Sequence, residues 1–202
     1  MPTPIDSVVR ETVRKNDRAI LLRRATTDAW QTLAEKYPDR AWWRRKSTRA
    51  AIVWEEAVNN AIAALSKDKG AHVVRHFDTV SFILDDTVLV RLKKADMELQ
   101  SRNVQTVLSS LFHRHDTDLY GYSGLQRVES AYVLNKFETD MAWVGIVARE
   151  KKAKLFHFEF NELSVPAEAP LIFPTPATGS PADIAKLRRI LPDEQKRDEK
   201  GE

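Results

Sequence analysis

Apolar residues in the first third of the chain recur every three or four positions, which is the spacing of amphipathic helices. From Ser7 to about Tyr37 this pattern predicts two helices, with Thr26-Thr27-Asp28 as the break between them. Pro38 interrupts the pattern, and a third helix is predicted over roughly 48–66, where the apolar residues form one continuous stripe. The N-terminal part of the chain is therefore expected to be helical, with its stripes facing a common core.

From His72 onwards the period changes to two, which predicts β-strands. Six strands are expected, at His72–Phe77, Thr79–Leu84, Thr87–Lys93, Arg127–Leu134, Ala142–Arg149 and Leu155–Phe160. Asp85-Asp86 between the second and third strands favours a hairpin, and a helix is predicted over about 98–114 after Asp96. Helices packed with a mainly antiparallel sheet that is interrupted by one helix belong to the α+β class.

Proline is concentrated at the C-terminal end, where six of the nine prolines follow residue 165. Because proline blocks both helices and sheet ladders, we expect a flexible Pro-rich charged tail over 161–202. A short helix is predicted within it at 181–191, which either covers its own domain or binds a partner. The remaining chain divides into a basic helical N-terminal region, 1–46, and an α+β core, 47–160, which together form one domain.

Composition excludes several classes of function. The chain of 202 residues has no cysteine, so disulfides, thiolate metal sites and cysteine nucleophiles are excluded. The longest apolar run, Met141–Ala148, is far shorter than the about 20 residues of a membrane span, and Met1–Asp6 has no basic leader pattern. We therefore expect a cytoplasmic protein without membrane contact. No glycine-rich nucleotide loop, GxSxG elbow or HExxH helix is present, and no cofactor is expected.

Positive charge is concentrated near the N-terminus, where residues 1–70 carry 14 Lys+Arg against 9 Asp+Glu. It peaks at 40–49, a run with five cations, two tryptophans and no acid. Cations that neutralise phosphates beside an indole that stacks on a base predict sequence-tolerant binding of DNA or RNA. The alternative is a solvated linker that one tryptophan anchors to the core. The candidate nucleic-acid-binding residues of the run are Arg40, Trp42, Trp43, Arg44, Arg45, Lys46 and Arg49. Arg91 and Lys93 of the hairpin are added to them if the hairpin lies beside the run.

Two histidines and two aspartates lie within six residues in the segment His113-Arg-His115-Asp116-Thr-Asp118. Imidazole and carboxylate groups are ligands for zinc or manganese. The same residues are typical of a helix C-terminus followed by an Asx-rich turn. We favour the turn and predict no metal ion. In the alternative, the metal ligands are His113, His115, Asp116 and Asp118.

A second enzymatic alternative comes from the hairpin. Restriction-endonuclease-like nucleases place an aspartate before an acidic-x-Lys triplet, so that carboxylates hold magnesium and the lysine helps to activate water. In this chain Asp78, Asp85 and Asp86 precede Arg91-Leu-Lys93, but Arg91 stands where the acid is needed. Catalytic residues are therefore unassigned. A metal-dependent nuclease or related hydrolase that uses the three aspartates and Lys93 is the alternative function.

The segments Leu84–Val104, Tyr132–Thr139 and Val144–Arg149 carry a resemblance to a known group. They resemble uncharacterised bacterial proteins whose genes lie beside helix-turn-helix regulators fused to zinc peptidase-like domains. The resemblance covers about 70–160 and carries no assigned activity. It implies a bacterial accessory gene that is one half of a toxin–antitoxin or phage-defence pair. We therefore expect a bacterial regulatory or interaction protein that binds an unidentified protein partner and nucleic acid.

Overall fold

The computed structural model describes residues 3–101, 106–115 and 117–164. The helices are α1 Asp6–Arg14, α2 Arg18–Lys36, α3 Lys46–Leu65, α4 Val107–Phe112 and α5 Phe160–Ser164. The strands are β1 Ala71–His76, β2 Thr79–Leu84, β3 Val88–Ala95, β4 Gln126–Leu134, β5 Met141–Glu150 and β6 Ala153–Glu159. The predicted α+β class, with N-terminal helices and a mainly antiparallel sheet, is confirmed.

The strands form one six-stranded sheet in the order β1-β2-β3-β4-β5-β6. All neighbouring strands are antiparallel except β3 and β4, which run parallel. Parallel neighbours require a crossover connection, because a tight turn would reverse the chain direction. The crossover here consists of residues 96–125 and contains α4. The described residues of this crossover lie over one face of the sheet, which we call the crossover face.

The opposite face of the sheet, the helix face, packs against α1, α2 and α3 and holds the main hydrophobic core. Side chains alternate between the faces along each strand, so Val88, Val90 and Leu92 of β3 enter the helix core. Leu89 points to the crossover face. Arg91 also lies on this face and is 5% exposed, because the crossover covers it.

Two predicted helix boundaries are wrong. The break in the N-terminal helices lies at Asn16 and Asp17, whose φ angles of 52° and 57° are left-handed. At the predicted break, Thr26 instead donates its hydroxyl to the Leu22 carbonyl at 3.0 Å within an unbroken helix. The single helix predicted over 98–114 is also wrong in extent, since its described part is helical only over Val107–Phe112.

The chain after Ala95 makes a turn where the sequence predicts the start of a helix. Asp96 accepts hydrogen bonds from the backbone N–H groups of Glu98 and Gln100 at 3.1 and 2.8 Å. Leu99 has a left-handed φ of 63°, which a helix does not allow. Asp96 therefore stabilises a local Asx-type turn in place of a helix N-cap.

The first residues of the predicted tail are helical. Residues 161–164 belong to α5, and Phe160 and Leu163 are buried against the helix core. The rest of the predicted tail, including the helix at 181–191, lies outside the described residues. Among the helices that the structure describes, none combines the length and apolar character needed to cross a membrane.

A buried arginine joins the helices to one end of the sheet. Arg18 is fully buried and donates hydrogen bonds to Asp68 at 2.5 Å and to Asp85 at 2.7 Å. A third hydrogen bond reaches the Thr12 carbonyl at 3.0 Å. Gly70 leaves room for this group, since a Cβ there would collide with the Asp85 carboxylate and the Arg18 guanidinium. The cluster therefore connects the α1–α2 junction, the α3–β1 loop and the β2–β3 turn.

The free energy of unfolding should depend on pH through Asp68. The Arg18 hydrogen bond holds the pKa of Asp68 at about 2, below its ordinary value of 3.8. A carboxyl with a lowered folded-state pKa stabilises the protein above its unfolded-state pKa, and that contribution disappears as the pH falls through the folded-state pKa. We expect a loss of about 2 kcal/mol between pH 4 and pH 2. Urea unfolding of the native chain and of Asp68→Asn across this pH range measures the loss. If the free energy of unfolding changes equally with pH in the two proteins, the prediction is wrong.

Candidate functional site

The basic run at residues 40–49 lies between α2 and α3. Its two tryptophans have different environments. Trp43 packs against the Tyr37 ring, with centroids 5.3 Å apart, and contacts the helix core. Trp42 is 85% exposed. Trp43 therefore anchors the segment, while the Trp42 indole faces solvent.

The five cations of the run also divide into two groups. Arg40 donates to the carbonyls of Ala34 and Tyr37 at 3.2 and 3.4 Å, so it closes the C-terminal end of α2. Arg44 and Arg45 are exposed, and their guanidinium groups make no hydrogen bond or ion pair with the described part of the chain. The charge of these two arginines is thus available to a ligand.

Lys46 and Arg49 contact the β4–β5 turn. Glu138 in that turn binds Arg49 at 2.5 Å and Lys46 at 3.3 Å, and its other oxygen binds Lys94 at 3.2 Å. Burial raises the pKa of Glu138, but the hydrogen bonds from Lys94 and Lys46 outweigh burial and the pKa is lowered. One carboxylate thus binds three cations. Phe137, the neighbour of Glu138, is 79% exposed.

These contacts bring the basic run and the β4–β5 turn to the same end of the sheet. We call the exposed side chains of Trp42, Arg44, Arg45, Lys46 and Phe137 the basic-aromatic surface. It combines two exposed aromatic rings with cations that are only partly neutralised. Such a surface offers stacking to bases and charge to phosphates.

Arg91 and Lys93 do not extend this surface, because they lie on the crossover face. Arg91 donates to the Ser81 hydroxyl at 3.1 Å and to the Tyr120 hydroxyl at 2.5 Å. Its guanidinium also stacks on the Phe112 ring at 4.2 Å. Alternation along β3 explains the difference, since Lys94 faces Glu138 while Lys93 points the other way.

Glu129 of β4 lies beside Arg91 in the sheet register and is 1% exposed. It accepts hydrogen bonds from the Ser101 hydroxyl at 2.8 and 3.0 Å, and it lies 3.5 Å from His113 and 3.1 Å from Arg149. Burial, the strongest influence, raises the pKa of Glu129, but His113 and Arg149 together lower it overall. Glu129 is therefore a buried carboxylate whose oxygens are already in use.

A cavity of about 220 Å³ lies between the crossover face and α4. Its polar lining consists of Thr79, Arg91, Lys93, Thr106, Ser109, His113 and Glu129. Burial lowers the pKa of Lys93, and the charge of Arg91 adds to this effect against the attraction of Glu129. The Lys93 ammonium makes no hydrogen bond or ion pair with any residue that the structure describes.

Two further arginines hold the crossover on the sheet. Arg127 donates to the carbonyls of Leu111, at 2.6 Å, and Thr117. Arg149 donates to the Leu99 carbonyl and binds Glu129. Sequence reasoning missed these arginines and Glu129. The sequence did contain one indication of them, namely charged residues at alternate positions of otherwise apolar strands. This pattern indicates a polar sheet face, but it does not predict which segment covers that face.

The four alternative metal ligands do not converge in the described structure. His113 points to Glu129, whereas the buried His115 places its Nε2 atom 2.7 Å from the Arg149 carbonyl. Asp118 accepts a hydrogen bond from the Gly124 N–H at 3.3 Å, and Asp116 lies outside the described residues. No group of three His, Asp or Glu side chains that could hold a metal ion is found among the described residues.

The alternative nuclease residues are also separated. Asp85 is bound to Arg18 and Lys15 at the end of the sheet where β3 begins, and Asp86 is exposed in the same turn. Lys93 lies near the opposite end of β3, about 17 Å beyond Val88 at about 3.3 Å per residue. Asp78 is exposed in the β1–β2 turn. The carboxylate close to Lys93 is Glu129.

No protein-family model, curated protein or solved structure matches this chain.

Proposed function

We propose that this protein binds single-stranded nucleic acid through the basic-aromatic surface. In this proposal Arg44, Arg45 and Lys46 contact phosphates, and Trp42 stacks on a base. The observation that carries it is the 85% exposure of the Trp42 indole beside two arginines whose charge no described residue neutralises.

The exposure of Trp42 supports a ligand because a large aromatic side chain gains free energy when it leaves water. Its neighbour Trp43 leaves water by packing against Tyr37, whereas the Trp42 ring stays 85% exposed. A base stacked on an aromatic ring contributes about 1–3 kcal/mol, as judged by alanine substitution. Phe137 at the same end of the molecule provides a second exposed ring.

The arrangement favours single strands over duplexes, and it does not read sequence. Bases of a single strand are unstacked and expose their faces, and every base has a face that an indole accepts. Phosphates are identical along the chain, so the arginines add affinity without discrimination. The expected ligand is therefore a flexible single-stranded segment of any sequence.

The proposal predicts a charge-dependent loss of binding in Arg44→Gln/Arg45→Gln. Each phosphate contact contributes about 0.7 to the log–log salt slope on a single strand, so the slope should fall by about 1.4. Affinity at low salt should fall about tenfold or more for all sequences alike. Fluorescence anisotropy with labelled single-stranded DNA and RNA of unrelated sequences, titrated with salt, measures both quantities.

A matched control is Lys67→Gln/Lys69→Gln, which removes the same charge from exposed positions just beyond the C-terminal end of α3. It should leave affinity nearly unchanged. Trp42→Ala should weaken binding about 5- to 150-fold, whereas Phe77→Ala, which removes another exposed ring, should not. If both arginines and Trp42 are replaced without effect on a measurable affinity, or if the native chain does not bind, the proposal is wrong.

The broader role remains a prediction from the sequence. A regulatory or defence component that binds both a protein partner and nucleic acid is compatible with a surface that holds a strand without processing it. The nuclease alternative is tested by incubating plasmid and RNA with Mg²⁺ or Mn²⁺, with and without chelator. Cleavage that chelator and Lys93→Ala both abolish would replace the binding proposal with the enzymatic one.

A further inference from the structure

The cavity on the crossover face is a second feature that nucleic-acid binding by Trp42 and its neighbours does not use. Four cationic side chains enter this face from the strands: Arg91, Lys93, Arg127 and Arg149. Among the described residues that surround the cavity, Glu129 is the carboxylate that faces them. The face therefore holds an excess of positive charge in a largely buried environment.

The four cations differ in how completely their hydrogen bonds are satisfied. Arg127 and Arg149 use backbone carbonyls of the crossover, and Arg149 also binds Glu129. Arg91 uses its Nε and Nη2 atoms on Ser81 and Tyr120, while Nη1 has no hydrogen-bond acceptor within the described part of the chain. Lys93 likewise has no acceptor there. Both Arg91 and Lys93 line the cavity.

An unpaired cation in a half-buried position lowers stability, because water is lost without a replacement acceptor. The chain could remove this cost with an apolar residue at position 93, since the alternating strand pattern requires no charge. A charged group that is retained at a stability cost and directed into a cavity is typical of a binding site. A position of this kind favours an anion.

We propose that this cavity binds the phosphate group of a phosphomonoester through Arg91, Lys93 and His113. The hydroxyls of Thr106 and Ser109 line the opposite wall and supply further donors. A phosphate dianion offers several acceptor oxygens and can neutralise both Arg91 and Lys93, neither of which forms an ion pair with a described carboxylate, whereas a carboxylate carries one charge only. The volume of about 220 Å³ is smaller than the about 300–1,000 Å³ of sites that enclose a whole ligand. The phosphate therefore enters the cavity while the group that carries it stays outside.

Inorganic phosphate is the first probe, and Lys93→Met is the first variant. Without phosphate, the variant should be at least as stable as the native chain, because an unpaired charge is removed. Added phosphate should raise the melting temperature of the native chain by much more than it raises the melting temperature of the variant. Isothermal titration should show phosphate affinity reduced about tenfold or more in Lys93→Met, as expected for loss of a charged hydrogen bond.

Lys94→Gln is the matched control, because it removes a cation from the next residue on the other face of the sheet. Phosphate stabilises proteins in general because it is excluded from their surface. Specific binding is therefore measured by the difference between variants in the phosphate-induced rise in melting temperature, at equal ionic strength. Ser109→Ala, a small change in the opposite wall, should also weaken phosphate binding. Equal phosphate responses in the native chain, Lys93→Met and Ser109→Ala would overturn the proposal.

Two phosphomonoester sources share this chemistry, and a second arm distinguishes them. Oligonucleotides with a 5′-phosphate or a 5′-hydroxyl are compared in the Arg44→Gln/Arg45→Gln background, and phenyl phosphate is titrated separately. A Lys93-dependent preference for the 5′-phosphate supports the cavity and identifies a nucleic-acid end as the source. Lys93-dependent binding of phenyl phosphate without that preference supports the cavity and identifies a small phosphorylated molecule. Because inorganic phosphate needs no contact with Trp42, failure of the nucleic-acid proposal leaves this test intact.

Discussion

Replacing Arg18 with alanine is expected to lower the free energy of unfolding by about 3–5 kcal/mol. Arg18 is completely buried and connects three separate parts of the chain through Asp68, Asp85 and the Thr12 carbonyl. Its removal leaves two carboxylates close together without their shared cation. Removing one partner of a buried ion pair has this large effect because the remaining charge, here mainly that of Asp68 with its side chain 6% exposed, is left without its cation. Chemical denaturation at neutral pH, followed by circular dichroism, measures the change.

Two further variants separate charge from packing. Arg18→Met keeps most of the side-chain volume, so a loss close to that of alanine would assign the effect to charge. Arg24→Ala removes an exposed arginine from the same helix and should change the free energy of unfolding by less than about 0.5 kcal/mol. If Arg18→Met is as stable as the native chain, the ion-pair cluster does not stabilise the fold.

The sequence predicts the α+β class because the two periodicities are well separated. A spacing of three or four up to about residue 66 and a spacing of two from residue 72 are hard to confuse, and every predicted strand is found. The wrong boundaries arise where polar side chains form local bonds. Asp96 makes a turn in place of a helix cap, and Thr26 bonds within a helix in place of ending it.

The parallel pairing of β3 and β4 could not be predicted from periodicity, and it determines the second candidate site. A crossover that lies on one sheet face buries whatever the strands place there. Arg91 and Glu129 then line the same cavity, although they are 38 positions apart in sequence and look like surface residues. The basic run is different, because its charge density is local and visible in the sequence.

Exposure of individual residues within the basic run was equally beyond prediction. Both tryptophans occur in the same local sequence, but only the tertiary contact with Tyr37 separates the anchored Trp43 from the exposed Trp42. Likewise, Glu138 is 89 positions from Arg49 and neutralises it across the fold. Of the nine candidate nucleic-acid-binding residues, the binding proposal therefore centres on Trp42, Arg44 and Arg45.

Glu129 is the position at which loss of a negative charge should most affect the crossover face. Its carboxylate compensates part of the charge of Arg149 and contacts His113 and the Ser101 hydroxyl. Ser101 and His113 both belong to the crossover, whereas Glu129 belongs to the sheet. The carboxylate therefore joins the crossover to β4 as well as balancing charge.

Glu129→Ala is expected to lower the free energy of unfolding by about 3–5 kcal/mol, since it leaves buried cations without their anion. Glu129→Gln keeps the shape and one acceptor oxygen, so a smaller loss of about 1–3 kcal/mol is expected. Glu98→Ala, an exposed acid in the crossover, is the control and should change stability by less than about 0.5 kcal/mol. Urea denaturation of the three variants at neutral pH provides the comparison. A Glu129→Ala variant as stable as Glu98→Ala would show that the cations of this face are neutralised by solvent rather than by Glu129.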